Sequence, residues 1–283
     1  MKTNLLVAIA NFVEDPITQV GNFYKSTNRI NNVGDALEYY IKDLFCNSVR
    51  QSLEEKEQCY PEYFSYLGNQ NNPPDIILKG GDAIEVKKIS NYKGEIPLNS
   101  SYPKNRLFIN SPGLSKACKT CENWQEKDLI YAIGTIPAKN NELKALWFVY
   151  GDCYAASKDC YERIRKTIAK GVNNLPDVAF SATKELGRVN KVDPLGITYL
   201  RIRGMWGIKH PSEVFASMLP LDETSNFTLN AIMLVEKYDS FPQEHRNKVE
   251  SLYERGLTVR NIKIKSPDNP AKLLNAKLLK FEK

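Results

Sequence analysis

The chemistry most legible in this chain of 283 residues rests on three side chains: Asp75, which follows Pro74, and, after nine intervening residues, Glu85 and Lys87 of the run Glu85-Val86-Lys87. Two carboxylates converging on one point make a hard oxygen site suited to Mg²⁺, which keeps several of its waters and takes its remaining ligands from a substrate phosphate. An ammonium beside such an ion orients an attacking water, favours its hydroxide form and helps stabilise the charged transition state of phosphodiester cleavage. The parts are common: Glu-x-Lys occurs three times (Glu54/Lys56, Glu85/Lys87, Glu142/Lys144) and Pro-Asp three times (Pro74-Asp75, Pro176-Asp177, Pro267-Asp268). Only one of each combines across a short connection. The competing interpretation is an amphipathic hairpin with solvated charges.

A hairpin must position these groups. Asn69 to Pro74 suits neither a helix nor a sheet interior, and it delivers the chain into Asp75 to Lys79, then Gly80-Gly81-Asp82, then Ala83 to Ile89. Residues two apart on a strand share a face, so Glu85 and Lys87 project together while Ile84 and Val86 point the other way. Asp75 joins them at one parity only. A two-residue loop, Gly80-Gly81, pairs Asp75 with Val86 and separates the carboxylates. A three-residue loop, Gly80-Gly81-Asp82, pairs Asp75 with Lys87 and gathers all three, so the site requires that loop or a bulge of equal parity. Upstream, Val33, Leu37, Tyr40, Ile41, Leu44 and Phe45 recur at three and four, which predicts a helix from about Asn32 to Val49. Gly34 and Glu38 lie one turn apart on it. Gly34 would let a backbone approach closely, and Glu38 could reach the site as a third carboxylate or pair with Lys42 at i+4.

Further along, Asp128 to Ile136 and Leu143 to Tyr150 predict strands separated by the turn Pro137 to Asn141. Ser157 predicts the cap of a helix through Ala169 that buries Cys160, Ile164 and Ile168. Ile197 to Arg203, Phe227 to Val235 and Thr258 to Lys265 predict additional strands, with no clean linker before them. Mixed elements without an internal repeat give an α/β class and exclude solenoids and propellers. With 42% hydrophobic and 25% charged residues, the composition excludes wholesale disorder. The apolar stretch Leu5 to Ala10 is too short for a membrane span and no cleavage site follows it, so the chain reads as cytoplasmic.

The net charge of +6 is concentrated: from Arg255 to Lys283 eight basic residues stand against two acids, which leaves residues 1–254 neutral. On that basic end Ile262 and Ile264 can face a core while Asn261, Lys263 and Lys265 point outward. Arg260, Lys263 and Lys265 are candidate phosphate contacts, against the alternative of a solvated terminus. The six cysteines read as reduced thiols. Cys118-x-x-Cys121 is half a zinc site, Cys153 and Cys160 lack a metal-knuckle spacing, and His210 and His245 lie far away in sequence. No Walker-type phosphate loop is present, which argues against a built-in ATP motor.

The helix with Gly34 and Glu38, Pro74-Asp75, and Glu85-Val86-Lys87 together resemble the catalytic core of the PD-(D/E)xK nuclease superfamily. More narrowly, the stretches Asn28 to Glu38, Gly81 to Lys88, Leu98 to Lys104, Leu146 to Asp152, and Asp193 to Gly196 through Leu200 to Trp206 resemble NgoPII-type type II restriction endonucleases. They span about residues 28–215; the first 25 residues and the basic end contribute nothing to the resemblance. It implies a restriction-endonuclease-like core, a mixed central sheet flanked by helices, with additional strands in the C-terminal half. A single endonuclease domain is then expected, with a catalytic core over about 28–170 and recognition and extra strands over about 190–283. The implied activity is Mg²⁺-dependent cleavage of double-stranded DNA at a palindrome, GGCC by association with the type, giving 5′-phosphate and 3′-hydroxyl ends. The implied partners are a second copy of the chain, as a homodimer, and a DNA methyltransferase of the same system.

On this resemblance Asp75 and Glu85 hold the metal, Lys87 orients the water and Glu38 assists. Bidentate Arg to guanine is the commonest specific contact in a major groove, which makes Arg201 and Arg203, on one strand face, the candidates for base readout. Asn99, Ser100, Ser101, Tyr102 and Lys104 are candidates for phosphate or base contact. Surface salt bridging and a plain polar loop are the competing interpretations. Trp206 reads as core and His210, before Pro211, as a turn residue. Rival functions are a repair or recombination nuclease that selects DNA structure and a catalytically inactive DNA-binding module. Retention of both carboxylates and Lys87 argues against the second.

Overall fold

Near-continuous apolar runs form the middle of the molecule. Glu126–Thr135, from Leu129 onward, and Ala145–Tyr150 are strands buried on both faces, an arrangement that only a sheet covered on both sides can hold. The structure is a computed structural model and describes residues 2–28, 33–68, 72–92, 94–139, 141–174, 179–181, 185–220 and 225–283. Hydrogen bonding orders its central sheet as Phe64–Tyr66, Ile76–Leu78, Ala83–Ile89, Glu126–Thr135, Ala145–Tyr150, Thr228–Leu234, Leu273–Glu282 and Thr258–Lys265. Ala83–Ile89 runs parallel to Glu126–Thr135, and Ala145–Tyr150 parallel to Thr228–Leu234; the other neighbours are antiparallel. The sheet is therefore mixed, and with its flanking helices the class is α/β.

The predicted helix over 32–49 is Val33–Cys46, with Leu37, Tyr40, Ile41, Leu44 and Phe45 buried; Asn32 lies outside the described residues. This helix packs against Ala83–Ile89. Its close approach to the sheet depends on a strand residue, since a methyl group on Gly134 would stand 2.6 Å from Leu37 Cδ2. The surroundings of Gly34 itself lie outside the described residues. The N-terminal segment, silent in the motif search, is core: Asn4 caps helix Leu5–Glu14 through Leu6 N–H and Val7 N–H, and Phe12 stacks on Phe227 with centroids 4.9 Å apart.

One helix presents the opposite face to that expected. Lys158–Val172 exposes Cys160, Ile164 and Ile168, the last two 42% and 45% exposed, and none of its side chains is fully buried. Its half-buried stripe is Tyr161, Arg165, Ala169 and Val172. Tyr161 stacks on Tyr102 and meets Trp206 edge-on, so aromatic docking overrides the aliphatic periodicity. Ser157 occupies the cap position but makes no side-chain cap bond.

In the C-terminal half, Ala179–Phe180, Gly187–Asn190 and Tyr199–Ile202 form a small antiparallel sheet, and Trp206–Ile208 pairs with Ile96–Asn99. Thr258–Lys265 forms as predicted, with Ile264 buried and Lys263 and Lys265 exposed. Among the described residues, no helix is long and apolar enough to cross a membrane.

Candidate active site

The hairpin has the parity the chemistry requires, reached through a different loop. Ile76 pairs with Ile84 and Ile77 with Ala83, which continues to place Asp75 opposite Glu85, not opposite Lys87. The connection is Lys79-Gly80-Gly81, closed by Gly81 N–H donating to the Leu78 carbonyl and Leu78 N–H to the Asp82 carbonyl, both at 2.9 Å. Gly80 takes the left-handed conformation (φ 61°), which removes the need for Asp82 to do so. Asp82 is instead buried beneath the turn, where Tyr150 Oη and Lys237 Nζ each donate to it at 2.6 Å. Either three-residue loop brings Asp75, Glu85 and Lys87 to one face.

Within the site, Val86 N–H donates to Asp75 Oδ2 at 2.6 Å and Lys87 Nζ donates to Glu85 Oε1 at 2.6 Å. Glu85 Oε2 is buried and accepts no hydrogen bond. Burial, reinforced by the facing charge of Glu85 and more weakly by Glu38, pushes the Asp75 carboxyl up to about 7 against the opposing pull of Lys87 and the Val86 amide. For Lys87, burial works against the charge, but Glu85 and Asp75 outweigh it and hold the ammonium above its ordinary range. An orphaned carboxylate oxygen facing a carboxyl whose ionisation burial and the neighbouring charge oppose is a donor set that a cation would relieve. Among the described residues no group of three or more His, Cys, Asp or Glu side chains converges, so the chain offers two carboxylates here. That suits an ion which keeps most of its waters. Glu38 is near enough to act on Asp75 through its charge, while its Oε1 accepts from Lys42 Nζ at 2.7 Å.

Asp75, Glu85 and Lys87 line a cleft of about 750 Å³ together with Ser100, Ser101, Tyr102 and Arg203. The loop after Ile96–Asn99 thus reaches the site as expected, although the Asn99 side chain lies outside the described residues. Lys104 is 7% exposed and lines, with Glu85, a small pocket that shares Glu85, Ser101 and Tyr102 with the cleft. Burial first, with Lys87 adding and Glu85 opposing, brings its ammonium down to about 8. Sequence reasoning missed Lys119, Arg165 and the turn Asn110 to Leu114, which form the opposite wall. For Arg165 a signal existed, one helical turn after Tyr161; for the others none did.

Arg201 and Arg203 are exposed, and both donate to Glu185: Arg201 Nη2 to Oε1 at 2.6 Å and Arg203 Nε to Oε1 at 2.5 Å. Arg203 and Glu185 lie at the cleft. Arg260, Lys263 and Lys265 are not brought there, since their strand is at the opposite edge of the sheet. Trp206 is half-buried against Tyr102 and Tyr161. His210 is fully buried, accepts from Ser212 N–H as a helix cap, and is pushed down to about 4 by burial, a structural role. All six cysteines are free thiols, and Cys121 Sγ donates to the Cys118 carbonyl.

The family model described as NgoPII restriction endonuclease matches residues 3–265. The match therefore extends over the N-terminal helix and into the basic end, beyond the 28–215 read from motifs. A curated relative, the type II restriction enzyme NgoPII of Neisseria gonorrhoeae, is 45% identical over 278 residues, covering 98% of this chain and 99% of the relative. No solved structure matches significantly.

Proposed function

Since the chain belongs to the NgoPII restriction endonuclease family, we propose that Asp75, Glu85 and Lys87 form the PD-(D/E)xK centre with which it cuts double-stranded DNA as a type II restriction enzyme. The observation that carries the assignment is the shared face of the three groups together with the unpartnered Glu85 Oε2. Asp75 and Glu85 would hold Mg²⁺. An ion held by these two carboxylates would supply Lewis-acid polarisation of the phosphate and offset its developing charge. Val86 N–H fixes one Asp75 oxygen. Lys87, kept protonated by its two acids, has N–H groups beyond the one given to Glu85 with which to orient the attacking water. Water adds to phosphorus, the bond to the 3′ oxygen breaks, and the ends are 5′-phosphate and 3′-hydroxyl. Glu38 assists through its charge.

In this reading, residues of about 28–170 form the catalytic core and those of about 190–283 the recognition half of a single endonuclease domain. Arg201 and Arg203 read guanine, while Ser100, Ser101, Tyr102 and Lys104 meet phosphate or base. The target is a palindrome, with GGCC the first to test, and the enzyme meets it as a homodimer, since each half-site then faces the same surface. It acts in the cytoplasm alongside a DNA methyltransferase. Digestion of a plasmid decides the matter. Discrete fragments are expected with Mg²⁺ and none in excess chelator. Asp75→Ala, Glu85→Ala and Lys87→Ala each reduce cutting to background, while Glu54→Ala and Glu142→Ala cut normally. A smear would favour the non-specific nuclease, and near-normal turnover by Lys87→Ala would overturn the site.

A further inference from the structure

Lys104 is a lysine of unusual standing. Its ammonium donates to Ser101 Oγ and, at 3.5 Å, to the Tyr102 carbonyl, lies 5.4 Å from the Tyr102 ring centroid, and has no carboxylate paired with it among the described residues. Among the described residues, every other strongly buried lysine has an acid: Lys42 has Glu38, Lys56 has Asp43 and Lys127 has Glu122. An ammonium withdrawn from water with no carboxylate paired to it, only the more distant charge of Glu85, is costly, and a fold can retain one where a ligand supplies the anion.

The backbone of Lys104 is held with care. Tyr131 is the register partner of Glu85 on the neighbouring parallel strand, so it stands beside the carboxylate. Its hydroxyl accepts from Lys104 N–H at 2.7 Å and donates to the Lys104 carbonyl at 3.1 Å. On the other side Gly151 makes room, since a methyl group there would stand 2.5 Å from the Lys104 carbonyl oxygen. Glu85, Ser101 and Tyr102 line both the small pocket with Lys104 and the open cleft with Asp75 and Lys87.

We propose that Lys104 is a second catalytic cation of the site, its ammonium pairing with an oxygen of the scissile phosphate at the inner end of the cleft. This rests on the assignment of Asp75, Glu85 and Lys87. Lys104 makes and breaks no bond; it supplies the phosphate with a fixed positive charge, complementing Lys87, which is committed to Glu85. The anion in turn supplies the partner that the free protein withholds.

The test uses Lys104→Met, close in length and uncharged, and Lys104→Arg. Cleavage by Lys104→Met falls about 100-fold, as for loss of a preorganised donor to a developing anion, and Lys104→Arg recovers part of it. The thermal midpoint of free Lys104→Met rises, because the uncompensated charge is gone. A duplex with one neutral methylphosphonate at the mapped scissile position, assayed with Ca²⁺, binds the full-length wild type roughly 10-fold more weakly than the natural duplex. Lys104→Met shows a clearly smaller penalty, the remainder being the phosphate's interaction with the ion at Asp75 and Glu85, since one of the contacts the methylphosphonate weakens is already gone. Equal penalties in both proteins overturn the contact, and a lowered midpoint in Lys104→Met makes the residue structural. If Asp75→Ala cuts normally, the failure belongs to the site assignment instead.

Discussion

Asp43, fully buried, and Glu85, partly buried, each accept from a lysine at 2.6 Å, yet their surroundings differ in how the remaining oxygens are used. Asp43 also accepts from Tyr60 Oη at 2.7 Å, Ser48 Oγ at 2.8 Å and Tyr24 Oη, and its Lys56 donates a second time to the Val49 carbonyl. Glu85 has Lys87 on one oxygen, nothing on the other and Asp75 opposite. The first cluster is complete and ties helix Val33–Cys46 to helix Leu53–Tyr63. The second is incomplete and opens on a cleft. Burial and ion pairing are common to both; what separates a structural pair from one that awaits a ligand is whether the remaining lone pairs are used.

The largest effect tests the complete cluster. Asp43→Ala leaves Lys56 buried and uncompensated and is expected to cost about 3–5 kcal/mol in denaturant unfolding, with cleavage per folded molecule unchanged. Glu85→Gln removes a charge that faces the Asp75 carboxyl and leaves one oxygen unused, and its unfolding free energy should fall far less than that of Asp43→Ala while cleavage disappears. Comparable destabilisation by the two would break the comparison.

A smaller effect comes from Asp75. Its folded pKa of about 7 lies above the ordinary 3.8, so the folded form retains a proton that the unfolded form has lost. Its contribution to stability is complete below pH 3.8 and is lost as pH rises through about 7. Wild type minus Asp75→Asn, followed by denaturant midpoints from pH 4 to 8, should show that decline at no more than about 1.4 kcal/mol per pH unit. A flat difference would mean that burial does not hold a proton on Asp75 in the folded protein.

Smallest is the exposed pair. Glu185→Gln should leave the thermal midpoint nearly unchanged, since a surface carboxylate whose partners, Arg201 and Arg203, are both exposed stabilises little. Freed of that acid, the arginines should strengthen binding to a scrambled duplex a few-fold at low salt, read by fluorescence anisotropy. A drop in midpoint would instead place this cluster with Asp43.

The sequence made some of this visible. The period of two along Ala83–Ile89 sufficed to set Glu85 and Lys87 on one face, and the hydrophobic spacing of Val33–Cys46 located its helix. Parity showed that an odd loop was needed, but not that it begins at Lys79, because that choice lies in the left-handed Gly80 and the burial of Asp82 under Tyr150 and Lys237, both distant in sequence. The aliphatic stripe of Lys158–Val172 misled because Tyr161 docks through aromatic contacts that no local period encodes. Lys104 looked like one polar residue in a polar loop; its burial depends on Tyr131 and Gly151, supplied by other elements.

The strand order also acts as a ruler. From Ala83–Ile89 to Thr258–Lys265 the chain crosses five ladders, which at ~4.8 Å each separates the site from the Lys263 and Lys265 edge by roughly 24 Å. At 3.4 Å per base pair that is about seven base pairs, more than the four of the proposed GGCC target. Whatever hold the basic edge has on the same duplex must fall on flanking backbone, blind to sequence. In the proposed reading, cutting and grip would thereby fall towards opposite margins of one sheet, and a duplex trimmed to its recognition bases would engage only the first.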